Sequence, residues 1–205
     1  MSFELYGNSP FITDLWSYCY TGSSSIRNED RATSSHNTIE IDARDIVPYD
    51  PKNLFEMLGN IKVSINNIED SSEHCNVSLM HNGYKNLKNG SQIHKRSFNY
   101  KKLSNEIIIN DELTGDGIHR AKTTINIPKI YWDLDQKDGC LIFSNDNEIF
   151  KMTSSWANMS VKEGKISNYF LNQVLSYKII LQQKYNCVFS ESITINYNNI
   201  SKKDV

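Results

Sequence analysis

Apolar residues recur at every second position along most of this chain, the spacing of a strand with one covered and one wet face. Thr38-Ile39-Glu40-Ile41-Asp42 alternates in this way, as do Ile61-Lys62-Val63-Ser64-Ile65 and Asn76-Val77-Ser78-Leu79. Glu106–Asn110 is a denser apolar run, as expected of a strand covered on both faces. Further strands are predicted over Ala121–Ile127, Cys140–Phe143, Glu148–Met152, Tyr177–Leu181 and Ser192–Tyr197, all rich in β-branched and aromatic residues. Between them stand Asn82-Gly83, Asn89-Gly90, Asp116-Gly117, Asp138-Gly139 and Asn145-Asp146-Asn147, residues that tolerate positive φ and read as turns. The pattern predicts an all-β fold, an antiparallel β-sandwich of about twelve strands. One short helix competes with a loop over Pro51–Leu58, with Asp50 as N-cap and Pro51 at the first helical position.

No repeat or low-complexity linker interrupts the pattern, so residues 1–200 read as one sandwich domain and 201–205 as a frayed tail. With 22 basic and 24 acidic residues well mixed, the chain has no basic field and nucleic acid is excluded as a partner. Mean hydropathy is −0.52, and no run approaches the roughly 18 apolar residues of a membrane span. Met1–Tyr6 has neither a basic nor an apolar leader segment, so it is no signal peptide. It alternates like a strand already in progress, which predicts that a part of the protein precedes it. Cys19, Cys75, Cys140 and Cys187 form no CxxC pair and read as isolated half-buried thiols, although two disulfides stay open.

Residues 14–45 break the regular alternation. Asp14 closes one strand and His36 opens another across a polar loop through Arg27, Glu29, Asp30 and Arg31, so both belong at one end of the sheet. An imidazole and a carboxylate at one rim are part of a metal-ligand set, or simply a hydrogen-bonded structural pair. Tyr18 and Tyr20 are candidates for sugar contact or for packing. Arg31 and Asn37 flank the same rim, and Arg31 is suited either to a carboxylate or sulfate or to bracing the loop. His94-Lys95-Arg96 with Lys101-Lys102 is a candidate sulfate patch, with a solvated surface as the simpler reading. His74 and His81 have no partner visible in the sequence, while His119, Arg120, Trp132 and Trp156 read as structural.

The ordered set Ser2-Phe3-Glu4-Leu5-Tyr6, Pro10–Asp14, Tyr18–Gly22, Arg31 and Ser35-His36-Asn37-Thr38 resembles the heparinase II/III family of polysaccharide lyases. The likeness continues through His94–Phe98, Ile109–Gly115, Gly117–Arg120 and the late strands Lys178–Leu181 and Ile193–Ile195. It implies a carboxy-terminal β-sandwich that works beside an α/α toroid, acting on glycosaminoglycan-type acidic polysaccharides by β-elimination at a uronic acid. It also implies a structural zinc held by Asp14, His36 and a third histidine from an H-x-H strand upstream of Met1. The catalytic acid and base of the family match no position here, so the catalytic set of this chain is none and its status as an enzyme is uncertain. A toroid in a missing segment or a separate chain would complete it. The resemblance further implies Tyr18, Tyr20, Arg31 and Asn37 at the substrate face, and a bacterial periplasmic setting. The alternatives are a non-catalytic carbohydrate-binding module and a truncated remnant.

Overall fold

The structure, a computed structural model, describes residues 1–200, so the tail read at 201–205 lies outside the described residues. Twelve strands account for most of it: β1 (Leu5–Tyr6), β2 (Pro10–Ile12), β3 (Ile39–Ile41), β4 (Val63–Asp70), β5 (His74–Tyr84), β6 (Gln92–Lys101), β7 (Glu106–Pro128), β8 (Asp133–Lys137), β9 (Cys140–Ser144), β10 (Glu148–Ser154), β11 (Asn158–Tyr169) and β12 (Asn172–Asn199). Every pairing is antiparallel. The fold is the antiparallel β-sandwich that the alternation predicts.

Two long strands join the layers. The first half of β7 pairs with β6 and with Val188–Asn196 of β12, and β12 runs on to β10, β9 and β8. The second half of β7 pairs with β3 and with Ser176–Asn186 of β12, whose other side carries β11. The break falls at Gly115-Asp116-Gly117, opposite Cys187, which takes φ 58° at a register shift in β12. Gly117 sits at φ +88°, and a Cβ there would lie 1.8 Å from the Asn89 carbonyl oxygen, so only glycine fits. Asp116-Gly117 is therefore a bend inside one 23-residue strand and not the turn its composition suggests. The strands predicted separately at 106–110 and 121–127 are one, and so are those at 177–181 and 192–197.

One further expectation fails, and one open alternative resolves to the loop. The polar loop after Gly22 contains a helix, α1 (Ser24–Arg31), whose N-cap Ser23 accepts the Ile26 N–H on its hydroxyl at 3.4 Å. Pro51–Leu58 is instead a string of turns. A helix there would need the carbonyls of Asp50 and Asn53, and the Arg31 guanidinium takes both, at 2.8 and 2.9 Å, together with that of Glu56. Arg31 lies flat on Tyr49 with its charge 3.9 Å from the ring centre, which fixes this segment against α1.

The core lies between the layers. Phe11 stacks on Phe150 at 3.9 Å and meets Trp132 and Phe143 edge-on at 5.5 and 5.3 Å, while Trp156 packs on Phe189. Trp132 and Trp156 are both buried, as the sequence suggests. All four cysteines are free thiols. No helix of the described residues is long and apolar enough to cross a membrane.

Candidate functional site

At one rim of the sandwich β2 ends and the HNT segment begins, and their side chains meet. His36 Nδ1 lies 3.0 and 3.1 Å from the two carboxylate oxygens of Asp14. Both residues keep about a quarter of their side-chain surface exposed, 28% for His36 and 25% for Asp14. Burial alone would raise the Asp14 carboxyl, but the hydrogen bond and charge of His36 more than reverse it and leave the acid below its ordinary range. His36 Nε2 has no partner among the described residues, so one face of the pair is free to meet a ligand.

Asn37 sets this geometry. It is fully buried, its amide donates to the Phe3 and Thr13 carbonyls at 2.9 and 3.1 Å, and its side-chain oxygen accepts from Asn126 in β7. Its backbone N–H points at Ser2 and Asp14. Asn37 thus ties the amino-terminal strands, the HNT segment and β7 into one block, and faces no solvent. Arg31 is also turned inward, committed to backbone carbonyls as described above. Of the four residues suggested for substrate contact, Tyr18 and Tyr20 alone keep open faces. Tyr18 is anchored by its backbone, to Asp30 through its N–H and to Leu171 through its carbonyl. Tyr20 is half exposed, stacked 6.1 Å from Phe170 and beneath the Arg27 guanidinium.

Zinc requires three or four donors. Among the described residues no group of three His, Cys, Asp or Glu side chains is placed to hold a metal ion. Asp14 and His36 are a suitable pair of donors, one hard oxygen and one imidazole, yet this chain's residues do not complete a set. No chemical step is routed through a metal here.

Behind the rim stands a second His–Asp assembly that sequence reasoning placed on the surface. The segment is neither the candidate sulfate patch nor the solvated surface preferred to it: His94 and Arg96 are fully buried, Lys95 alone of the three faces outward, against Glu112, and Lys101 and Lys102 are paired with Glu106 and Asp70. Arg96 grips Asp111 with two bonds of 2.7 and 2.8 Å, and its remaining nitrogen donates to the Asn37 and Met1 carbonyls. His81, which showed no partner in the sequence, joins the same network. One assignment of hydrogens satisfies every member: Gly83 N–H donates to His81 Nδ1, His81 Nε2–H to His94 Nδ1, and His94 Nε2–H to Asp111. Both imidazoles are then neutral. Burial, then the charge of His94, depress His81 to about 3, and burial also lowers His94. Burial opposes ionisation of Asp111, but Arg96 and His94 hold it well below the usual carboxylate range. The signal for this network was the alternation of Gln92, His94 and Arg96 on one face of β6, with Asp111 across from Arg96 in β7.

The third buried histidine, His119, bonds Asp42 at 2.7 Å and the Asp116 carbonyl at 2.8 Å, at the bend in β7, where it locks Asp42 in a left-handed conformation. Its role is structural.

No curated protein matches the chain. Among solved structures, it superposes on a heparinase III with a TM-score of 0.77 at 19% identity, covering 98% of this chain and 30% of the other. The heparan sulfate lyase HepC from Pedobacter heparinus gives 0.77 at 16% identity with the same coverages, and a further heparinase III gives 0.69 at 19%, covering 97% and 29%. These identities establish a shared fold, and the chain spans about 30% of the length of the proteins it resembles. The profile of the family described as "Heparinase II/III-like, C-terminal" matches residues 1–197, and the chain belongs to that family.

Proposed function

We propose that this chain is the carboxy-terminal sandwich of a polysaccharide lyase that cleaves uronic-acid-containing glycans, glycosaminoglycans among them, by β-elimination. The observation that carries the reading is the partly exposed Asp14–His36 pair, held by a buried Asn37 on a fold shared with heparan sulfate lyases. The reaction removes the proton α to the uronate carboxylate, and the C–H electron pair forms the new double bond. The C4–O bond then breaks, and its oxygen takes a proton. A base, an acid and a group that neutralises the carboxylate are all required. The buried relay cannot serve, because His81, His94 and Asp111 are saturated and closed to solvent. This chain supplies the rim, and the catalytic acid and base come from an α/α toroid in the rest of a longer protein or in a separate chain. Asp14 and His36 would contribute two zinc ligands and a histidine from an H-x-H strand upstream of Met1 the third; the ion, when bound, would supply a fixed positive charge that holds the rim. Tyr18 and Tyr20 meet the glycan, and Arg31 and Asn37 position the loop beneath it. By family likeness the setting is the bacterial periplasm.

A second reading, a carbohydrate-binding module without chemistry, is favoured by the exposed aromatics Trp16, Tyr20 and Phe170 beside the rim. Heparan sulfate mixed with the purified chain tests both. Binding that weakens in Tyr20→Ala, with no rise in the ultraviolet absorbance of unsaturated uronate, is the expected result for the chain alone. Restored absorbance on adding a toroid domain from a related lyase supports the lyase reading; binding that stays silent with every such partner supports the module. No binding at all overturns both.

A further inference from the structure

Beside the rim, with Asp14 in its wall, lies a cleft of about 280 Å³ that neither the family match nor the neighbouring structures assign. Its walls carry three exposed aromatic rings, Tyr6, Trp16 and Tyr131, at 56%, 57% and 39% exposure. The Glu4 carboxylate orients two of them, accepting the Trp16 indole N–H at 3.3 Å and the Tyr6 hydroxyl at 2.9 Å, and it also takes the Asp14 backbone N–H at 3.1 Å. Two wall residues, Thr13 and Ser167, have buried hydroxyl oxygens with no hydrogen-bond partner, and Ser167 is almost fully buried. The lining includes two carboxylates, Glu4 and Asp14, and no lysine, arginine or histidine.

Rigid aromatic faces with a few fixed polar groups suit a ligand with one apolar face and a hydroxylated edge, and the volume accommodates about one sugar ring. The charge selects among sugars. Asp14 is paired with His36, but the Glu4 carboxylate has no salt-bridge partner among the described residues, and it repels a uronate or a sulfate and attracts an ammonium or an amide N–H. We propose that this cleft is a subsite for a hexosamine ring of the glycan, preferring a free amine over an N-acetyl group and rejecting uronate. The assignment rests on the glycan-facing reading of the rim and specifies which sugar of an alternating chain lies against the Trp16 wall. The uronate then falls outside the cleft.

Three oligosaccharides of equal length test it: oligomers of glucosamine, of N-acetylglucosamine and of galacturonate. Trp132 and Trp156 are buried, so a fluorescence change on binding reports Trp16. The expected order is glucosamine tightest, with galacturonate weaker by about tenfold or more, and calorimetry should show Trp16→Ala weakening glucosamine binding about fivefold or more. Glu4→Gln should erase the preference for the free amine without lowering the melting temperature. Galacturonate binding as tightly as glucosamine, glucosamine binding indifferent to Trp16→Ala, or no binding of glucosamine overturns the subsite. Heparan sulfate separates this outcome from the broader reading. Loss of heparan sulfate binding in Tyr20→Ala with no glucosamine binding to the native chain sinks the subsite alone. Glucosamine binding through Trp16 without heparan sulfate binding sinks the acidic-glycan reading and leaves the subsite standing.

Discussion

The rim pair and the buried relay are built from the same residue types, a histidine against an aspartate within about 3 Å, and they do different things. At the rim, Asp14 and His36 hold each other with a free ring nitrogen and a quarter of their surface in water. In the interior, both imidazoles, the Asp111 carboxylate and four of the five Arg96 N–H groups are committed to one another and to the Gly83, Asn37 and Met1 backbone. A close His–Asp contact therefore leaves room for a ligand only when some hydrogen-bonding capacity is left over. The relay's capacity goes into holding β5, β6 and β7 to the segment that carries the rim.

The comparison breaks most visibly at Arg96. Arg96→Ala strands the Asp111 carboxylate in the interior and removes the donor to the Asn37 carbonyl, a loss of about 3–5 kcal/mol measurable by denaturant unfolding. Asn37→Ala leaves the Phe3 and Thr13 carbonyls and the Asn126 amide short of partners and should cost about 2–3 kcal/mol. It should also release the rim, seen as loss of glycan binding even where the protein stays folded.

Acid separates the two assemblies next. The folded-state pKa of His81 lies below its unfolded value, so the unfolded chain binds more protons between the two. Stability is then full above about pH 6.5 and falls as the pH drops toward about 3, by at most about 1.4 kcal/mol per pH unit for this one group. His81→Gln removes the titrating ring, and its melting temperature should depend less steeply on pH across that window. A slope unchanged from the native protein would show that the relay is not proton-linked. The smallest effect belongs to the exposed face: Tyr20→Ala should alter stability by about 0.5 kcal/mol or less while weakening glycan binding.

The contrast also shows which features the sequence discloses. Convergence of Asp14 and His36 was readable because each ends or begins a short strand at one edge, where strand order decides position. The sandwich was readable for the same reason, since alternation survives in β9 and β10. Helix α1 was not: SSIRNEDR offers Ile26 as its one apolar residue, and three consecutive serines hide which of them caps. Arg31 could not be assigned because its partners at Asp50, Asn53 and Glu56 are set by a chain crossing some 20 residues away. The relay was half legible. Alternation puts His94 and Arg96 on one face, but which face turns inward depends on the opposing layer. Gly115-Asp116-Gly117 reads as a turn because a bend and a turn need the same glycine, and pairing with β12 alone tells them apart.

Thermal melts of His94→Ala and His36→Ala, run side by side near neutral pH, test the central claim that the interior pair holds the fold and the rim pair is spare. The account predicts that His94→Ala, which leaves Asp111 short of a donor, melts roughly 6–12 °C below the native chain. His36→Ala, which opens a partly solvated pair, should stay within about 3 °C. A His36→Ala variant that melts as low as His94→Ala, or a His94→Ala variant as stable as the native chain, would contradict it.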